Sequence, residues 1–182
     1  MLSAKKLDNL IKSTGISVAE LAEKMARPGM DKERAMKSLK NWRKGLLKPI
    51  PRQADVEALA GALGVEKVNI SEWRSSVRYA ASSPRKAGLV TQLISGRAVQ
   101  EALDLLKFTH KRAAYIVEKA LKSAVANADE DSADVENLYV SQACVGSAGV
   151  RVGTKRFIAK DRGRANEIRK MASHINVTVT EM

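Results

Sequence analysis

Apolar residues recur every three or four positions through most of this chain and every second position near its end, so the pattern predicts helices followed by strands. Leu7, Leu10 and Ile11 give the apolar face of a first helix, which Gly15 stops. Ser17 followed by Glu20 makes a capping-box pattern ahead of Val18, Leu21, Ala22 and Met25, so ISVAELAEKM reads as a second, short helix. After an ARPGM loop, Asp31 caps a third helix running to about Lys44, with Ala35, Met36, Leu39 and Trp42 on its inner side. Lys32, Arg34, Lys37, Lys40 and Arg43 lie on its other side, and Gly45 ends it. Pro49 and Pro51 mark a turn, and Val56, Leu59, Ala60, Leu63 and Val65 define a fourth helix closed by Gly64. Glu66–Val77 reads as a connection in which Trp73 is a packing residue.

In the second half, Ser82 or Ser83 caps a helix with Pro84 at its first position and Gly96 at its end, and Ala87, Val90 and Ile94 form its buried stripe. A short helix spans Val99–Leu106. A long one runs from about Lys111 to Asn127 with Thr109 as cap and Ala114, Val117, Leu121, Ala124, Val125 and Ala128 on one side. The acidic DEDSAD loop leads into a strand, Leu138–Val145, where Cys144 is expected as a small core residue. His174–Thr180 alternates Ile175, Val177 and Val179 with Asn176, Thr178 and Thr180, the period of a half-buried strand.

Between those two strands, Gly146–Arg169 carries Arg151, Lys155, Arg156, Lys160, Arg162, Arg164 and Arg169 against only Asp161 and Glu167. The economical geometry is a long antiparallel hairpin. Its ~14 residues from Ser147 to Lys160 would reach roughly 45 Å at about 3.3 Å per residue. An isolated two-stranded ribbon is marginal in water, and cations this dense repel one another, so the outer half should order against a polyanion.

Composition points the same way. The 182 residues have a net charge of +12, and the pI is near 10.0. Each half, divided at Ser76, nets +6 (15 basic against 9 acidic, then 17 against 11). The single cysteine excludes an internal disulfide and suits a reducing compartment. With His110 and His174 as the only histidines, no zinc-type cluster can be assembled and no cofactor is expected. No apolar run spans a bilayer, and MLSAKKLDNLIKS lacks the features of a signal peptide, so a soluble intracellular protein is expected. No nucleophile–base set stands out, and Gly149-x3-Gly153-Thr154-Lys155 has the wrong spacing and order for a phosphate loop, so no catalytic residue is assigned. Arg85 and Lys86 in the first turn of their helix oppose its dipole, a conflict that a bound phosphate would relieve.

Two resemblances sharpen this. ISVAELAEKM, KSLKNWRKG, PIP and VEALAGALGV are similar in order to the phage-repressor-like helix-turn-helix family, which places a recognition helix in the DNA major groove. Asp31–Lys44 would be that helix, with Lys37, Lys40 and Arg43 as a nucleic-acid or partner face. Small helical bundles of this kind also dock RNA or protein. RYAASSPRKAGLVTQLISG, VQEALDLLKFT, KRAAYIVEKALKSAVANA, NLYVSQACV, TKRF, RGRANEI and SHINVTV resemble, in unbroken order over Arg78–Met182, the universal large-subunit ribosomal protein twenty-two family.

That second resemblance implies a structural, non-enzymatic protein of the cytoplasmic large ribosomal subunit. It implies contact with large-subunit rRNA and neighbouring ribosomal proteins, a part in subunit assembly, and a hairpin that meets the nascent polypeptide at the exit-tunnel wall. The expected fold class is α+β. Residues 1–76 form a small all-α bundle, and 77–182 a body of three helices on a small antiparallel sheet, with a protruding β-hairpin over about 145–172.

The implied rRNA-binding set is Arg78, Ser83, Arg85, Lys86, Arg97, Lys111, Arg112, Arg151, Lys155, Arg156, Lys160, Arg162, Gly163, Arg164, Arg169, Lys170, Ser173 and His174. The implied tunnel tip is Phe157–Arg162: Phe157, Ile158, Ala159, Lys160, Asp161 and Arg162. Ala159 stands where the family usually has proline, Asp161 adds an acid to the tip, and GSAGVRVG runs a few residues longer than usual. The competing reading is a DNA-binding helix-turn-helix regulator with a basic C-terminal accessory domain.

Overall fold

The computed structural model describes residues 1–25, 31–153 and 156–181. It divides into two compact units, Met1–Glu72 and Trp73–Met182.

The first unit holds α1 (Ala4–Thr14), α2 (Val18–Lys24), α3 (Lys32–Arg43), α4 (Gln53–Leu63) and a single turn, α5 (Lys67–Ile70). Gly15 and Gly64 end α1 and α4 with positive φ, 67° and 68°, a conformation that costs a residue with a Cβ about 1–2 kcal/mol. The Ser17 hydroxyl accepts from the Glu20 N–H at 3.2 Å, which is the cap its position predicts. Asp55 does similar work for α4 from inside the helix, its buried carboxylate accepting from the Arg52 N–H at 2.9 Å. Leu7, Leu21, Leu39, Trp42, Leu59 and Ile70 are fully buried together. Each contributes about 1.5–3 kcal/mol of apolar burial.

The inner side of α3 is Ala35, Ser38, Leu39 and Trp42. Ser38 satisfies its hydroxyl on Arg34 O at 2.8 Å and takes a core place that the sequence assigned to Met36, which is only half-buried. The Trp42 indole donates to Pro49 O at 2.6 Å. Ser3 N–H donates to Ile70 O at 2.8 Å and Glu72 N–H to Met1 O at 2.7 Å, so the start and end of the unit are stitched together. The ARPGM turn expected between α2 and α3 lies outside the described residues.

The second unit contains β1 (Trp73–Ala80), α6 (Pro84–Ile94), α7 (Val99–Phe108), α8 (Arg112–Glu130), a 3-10 turn (Val135–Asn137), β2 (Leu138–Val150), β3 (Arg156–Lys160), β4 (Arg164–Ile168) and β5 (Met171–Glu181). The stretch read as a connection, Glu66–Val77, therefore holds α5 and most of β1. Thr109 does not cap α8. It closes α7, its hydroxyl donating to Leu105 O at 2.7 Å, and Lys111 takes the cap position of α8.

The three-stranded sheet has the order β1-β5-β2, all antiparallel, and the last strand is the central one. Ile175, Val177 and Val179 are fully buried on the side of β5 shared with Trp73, Ala143 and Val145, and α8 and α6 pack on the sheet. Five buried alanines along α8, Ala113, Ala114, Ala120, Ala124 and Ala128, let the helix backbone come close. Cys144 is exposed, which corrects its expected core place: it pairs with Asn176 on the opposite face from Val177. Arg97 N–H and Gly96 N–H tie the α6–α7 link down, the latter donating to Val140 O at 2.8 Å and the former to Ile94 O at 3.3 Å.

Candidate nucleic-acid interface

The hairpin is built in two stages. Its base is the outer half of β2 against β5, ending at the Val150–Met171 pair and the Arg151 N–H that donates to Lys170 O at 2.8 Å. Its outer part is β3 against β4, with Arg156 opposite Ile168, Phe157 opposite Glu167, Ile158 opposite Asn166, Ala159 opposite Ala165 and Lys160 opposite Arg164. Arg162 and Gly163 turn the chain with positive φ, 54° and 77°, and the Arg164 N–H donates to Asp161 O at 3.3 Å. Positive φ at both central residues gives a hairpin turn the twist its strands need.

Directly paired residues share a face, so this register sorts the ribbon. One face carries Arg156, Ile158 and Lys160 with Arg164, Asn166 and Ile168; the other carries Phe157, Ala159, Ala165 and Glu167. The strand cations gather on one side. Lys160 and Arg164 sit opposite each other, a like-charge pair that destabilises an isolated ribbon. Arg156, Lys160, Arg162 and Arg164 are exposed and, among the described residues, make no side-chain ion pair. Arg169 Nε lies 3.6 Å from Glu167, and Arg151, Lys170 and Gly163 are exposed. Asp161 is exposed at the turn, and the apolar members are uncovered as well: Phe157 is 60% exposed, Ile158 50% and Val152 95%. Lys155 lies outside the described residues.

At the hairpin root the sheet contains a bulge. Val77 pairs with Ile175 and Ala80 with Ser173, so Arg78 and Tyr79 together oppose His174. Tyr79 is forced to φ 54°, and its exposed ring meets His174 edge-on, centroids 4.8 Å apart and planes at 73°. The Tyr79 N–H donates to His174 Nδ1 at 3.3 Å, which leaves the proton of the neutral ring on Nε2. Gly146 lies across from His174 on β2, where an added Cβ would come 3.8 Å from the His174 Cβ. Bulges of this kind re-aim side chains at functional sites.

Nearby in sequence, Ser83 sits at the cap of α6 with no side-chain capping bond, Pro84 supplies no N–H, and Arg85 and Lys86 are exposed. Lys111 and Arg112 are exposed at the start of α8, between the uncovered rings of Phe108 and Tyr115.

Two expected residues are placed elsewhere. Ser173 is fully buried with its hydroxyl unpartnered, so its side chain faces the interior. Arg97 is half-buried and committed within the chain, its guanidinium donating to Leu93 O at 2.9 Å and to Glu101. In the first unit, Lys37 and Lys40 are exposed, whereas Arg43 forks onto Asp8 Oδ1 at 2.6 and 2.8 Å. Among the described residues, no group of three or more His, Cys, Asp or Glu is arranged to hold a metal ion, and no helix is long and apolar enough to cross a membrane.

The family described as ribosomal protein L22p/L17e matches residues 75–180, more than half of the chain. This chain belongs to the L22p/L17e family. It is 49% identical over 115 residues to the large ribosomal subunit protein uL22 of Lactobacillus delbrueckii subsp. bulgaricus, covering 62% of this chain and 95% of that one. To uL22 of a Thermotoga species it is 47% identical over 111 residues (60% and 68%), and to uL22 of Rhodospirillum centenum 46% over 116 (63% and 86%). As a member of this ribosomal protein family the chain is not an enzyme. The bulge, the α6 start and the whole hairpin fall inside the matched residues; 1–74 lie outside them.

Proposed function

We infer that this L22p/L17e member is a structural constituent of the cytoplasmic large ribosomal subunit. It holds large-subunit rRNA through the body and contributes to subunit assembly. Its hairpin runs along the wall of the polypeptide exit tunnel, in contact with rRNA and the nascent chain, and neighbouring ribosomal proteins complete its surroundings. The observation that carries this reading is the one-sided ribbon: residues 151–170 hold eight basic and two acidic residues, a net of +6, and the strand cations line one face of a hairpin with no core of its own. Such a ribbon gains its order from phosphates that separate Lys160 from Arg164 and cover Ile158 and Ile168.

Contacts to phosphate are salt-sensitive and largely sequence-independent, and irregular RNA is recognised by shape and backbone with stacking on exposed bases. The uncovered rings of Tyr79, Phe108 and Tyr115 suit that second mode.

The test is the variant R156E/K160E/R164E. Losing three phosphate contacts lowers the salt slope of rRNA binding by about 2, which at ~0.2 M salt is a loss of roughly 30-fold or more. The thermal midpoint of the free protein should change little, because the three side chains are exposed on a ribbon outside the buried core. Equal losses of stability and affinity, or unchanged affinity, would refute the assignment, as would a wild-type chain absent from large subunits after a high-salt wash.

A further inference from the structure

The first unit carries its own uneven charge. It has 14 basic and 9 acidic residues over 1–72, and the two ends of α3 differ in charge. The start of α3 is mixed: exposed Asp31 and Glu33 alternate with Lys32, which is paired with Glu23 at 2.9 Å, and with exposed Arg34. The far end of α3 is basic: Lys40 and Lys44 are exposed there, Lys44 and Lys5 of α1 line an open depression of about 440 Å³, and Lys40 and Lys44 line a second of about 330 Å³ that shares Asp8 and Arg43 with it. The one acid in that depression is Asp8. It is neutralised twice over, by Arg43 and by Lys12 at 2.6 Å, and these partners hold its carboxyl below the usual range. The free charge facing solvent is thus that of the three lysines.

We propose that this groove between α1 and the C-terminal half of α3 is a second rRNA-backbone site, independent of the hairpin, in which Lys5, Lys40 and Lys44 contact phosphates. A helix C-terminus attracts cations and repels phosphate, but its roughly half charge is outweighed by three ammonium groups. A helix-turn-helix reader inserts the start of its recognition helix into the major groove, and here Asp31 and Glu33 offset Lys32 and Arg34 at that start, so the net positive charge lies at the other end of α3, which disfavours duplex DNA as the occupant. Ribosomal RNA is favoured by tethering: only Ser71 and Glu72 separate α5 from β1, so RNA bound by the body is available to this unit at high effective concentration. The proposal rests on the ribosomal reading above.

The experiment compares full-length wild type, K5Q/K40Q/K44Q and the hairpin variant R156E/K160E/R164E for binding to a large-subunit rRNA transcript and to duplex DNA over a salt series. All three lysines are exposed, and Arg43 is kept so that Asp8 stays paired. The expected result is a salt slope smaller by about 2 for the lysine variant, with affinity about 10- to 30-fold weaker at ~0.2 M salt, and a comparable loss for the hairpin variant. A loss confined to the hairpin variant overturns this site and leaves the ribosomal reading standing; no loss in either overturns both. Wild-type preference for duplex DNA over rRNA, abolished by the lysine changes, also overturns it. So does a photo-cross-linker at position 40 of assembled subunits that labels only protein.

Discussion

Tyr79 offers the sharpest separation of folding from binding. Its left-handed backbone costs a residue with a Cβ about 1–2 kcal/mol, and asparagine accepts that conformation more readily than an aromatic residue does. Tyr79→Asn relieves part of this strain and removes the edge-on contact with His174, which at an exposed position contributes about 0.5–1 kcal/mol. The two effects offset, so stability should change by less than about 1 kcal/mol. An RNA base stacked on the ring would be lost outright, at about 1–3 kcal/mol per base, which weakens rRNA binding by roughly 5- to 150-fold. Thermal melting of the free protein and filter binding to an rRNA transcript read the two quantities separately. Tyr79→Phe keeps the ring and should keep the affinity. The reasoning fails if the asparagine variant loses stability and affinity in proportion, because the residue is then structural. It also fails if the phenylalanine variant binds as weakly as the asparagine one.

Two further outcomes test the units themselves. Trp73 is 3% exposed and donates its indole N–H to Asp131 at 2.9 Å, so Trp73→Phe should destabilise the second unit by about 2–4 kcal/mol through the lost charged hydrogen bond and the space left behind. Trp42 then becomes the sole tryptophan, and its fluorescence should report an unmoved denaturant transition for the first unit. Asp8 has its carboxyl depressed below 3.8 by hydrogen bonds from Lys12 and Arg43. A depressed folded value means that its contribution is complete above the unfolded value and is lost as pH falls through the lower folded one. Acid titration followed by Trp42 emission should therefore show Asp8→Asn less stable than wild type near neutrality, with the two curves converging below about pH 4.

The helices were legible because their cores have a period and their ends have punctuation: Leu7 and Ile11 before Gly15, Leu59 and Leu63 before Gly64, Pro84 after Ser83. The alternation of Ile175, Val177 and Val179 likewise marked one buried face of β5, but the strand is not half-buried as expected: Thr178 and Thr180 on its other face are buried as well. What escaped depends on which partner the fold brings to each side chain, distant along the chain or close by. Arg43 and Arg97 look like free cations until Asp8, 35 positions away, and the Leu93 carbonyl are brought to them. Ser173 and Cys144 change places between interior and surface because the register of β2 on β5 decides which side each strand residue faces. The bulge that aims Tyr79 at His174 has no local mark in RYAA; an exposed aromatic between an arginine and two alanines is the nearest thing to one. The gathering of hairpin cations on one face follows from the pairing of Lys160 with Arg164, which composition alone does not contain.

The middle position of β5 bears on the order in which the molecule can be made. β1 and β2 do not pair with each other; each waits for Met171–Glu181, the last of the three to be synthesised. During translation the first unit can close as soon as Glu72 emerges, since its terminal stitches are all in place. The second must carry two unzipped strands and a highly charged loop, unanchored, until its keystone arrives. A newborn chain therefore passes through a stage in which its concentrated positive charge is present before the sheet that anchors it can close.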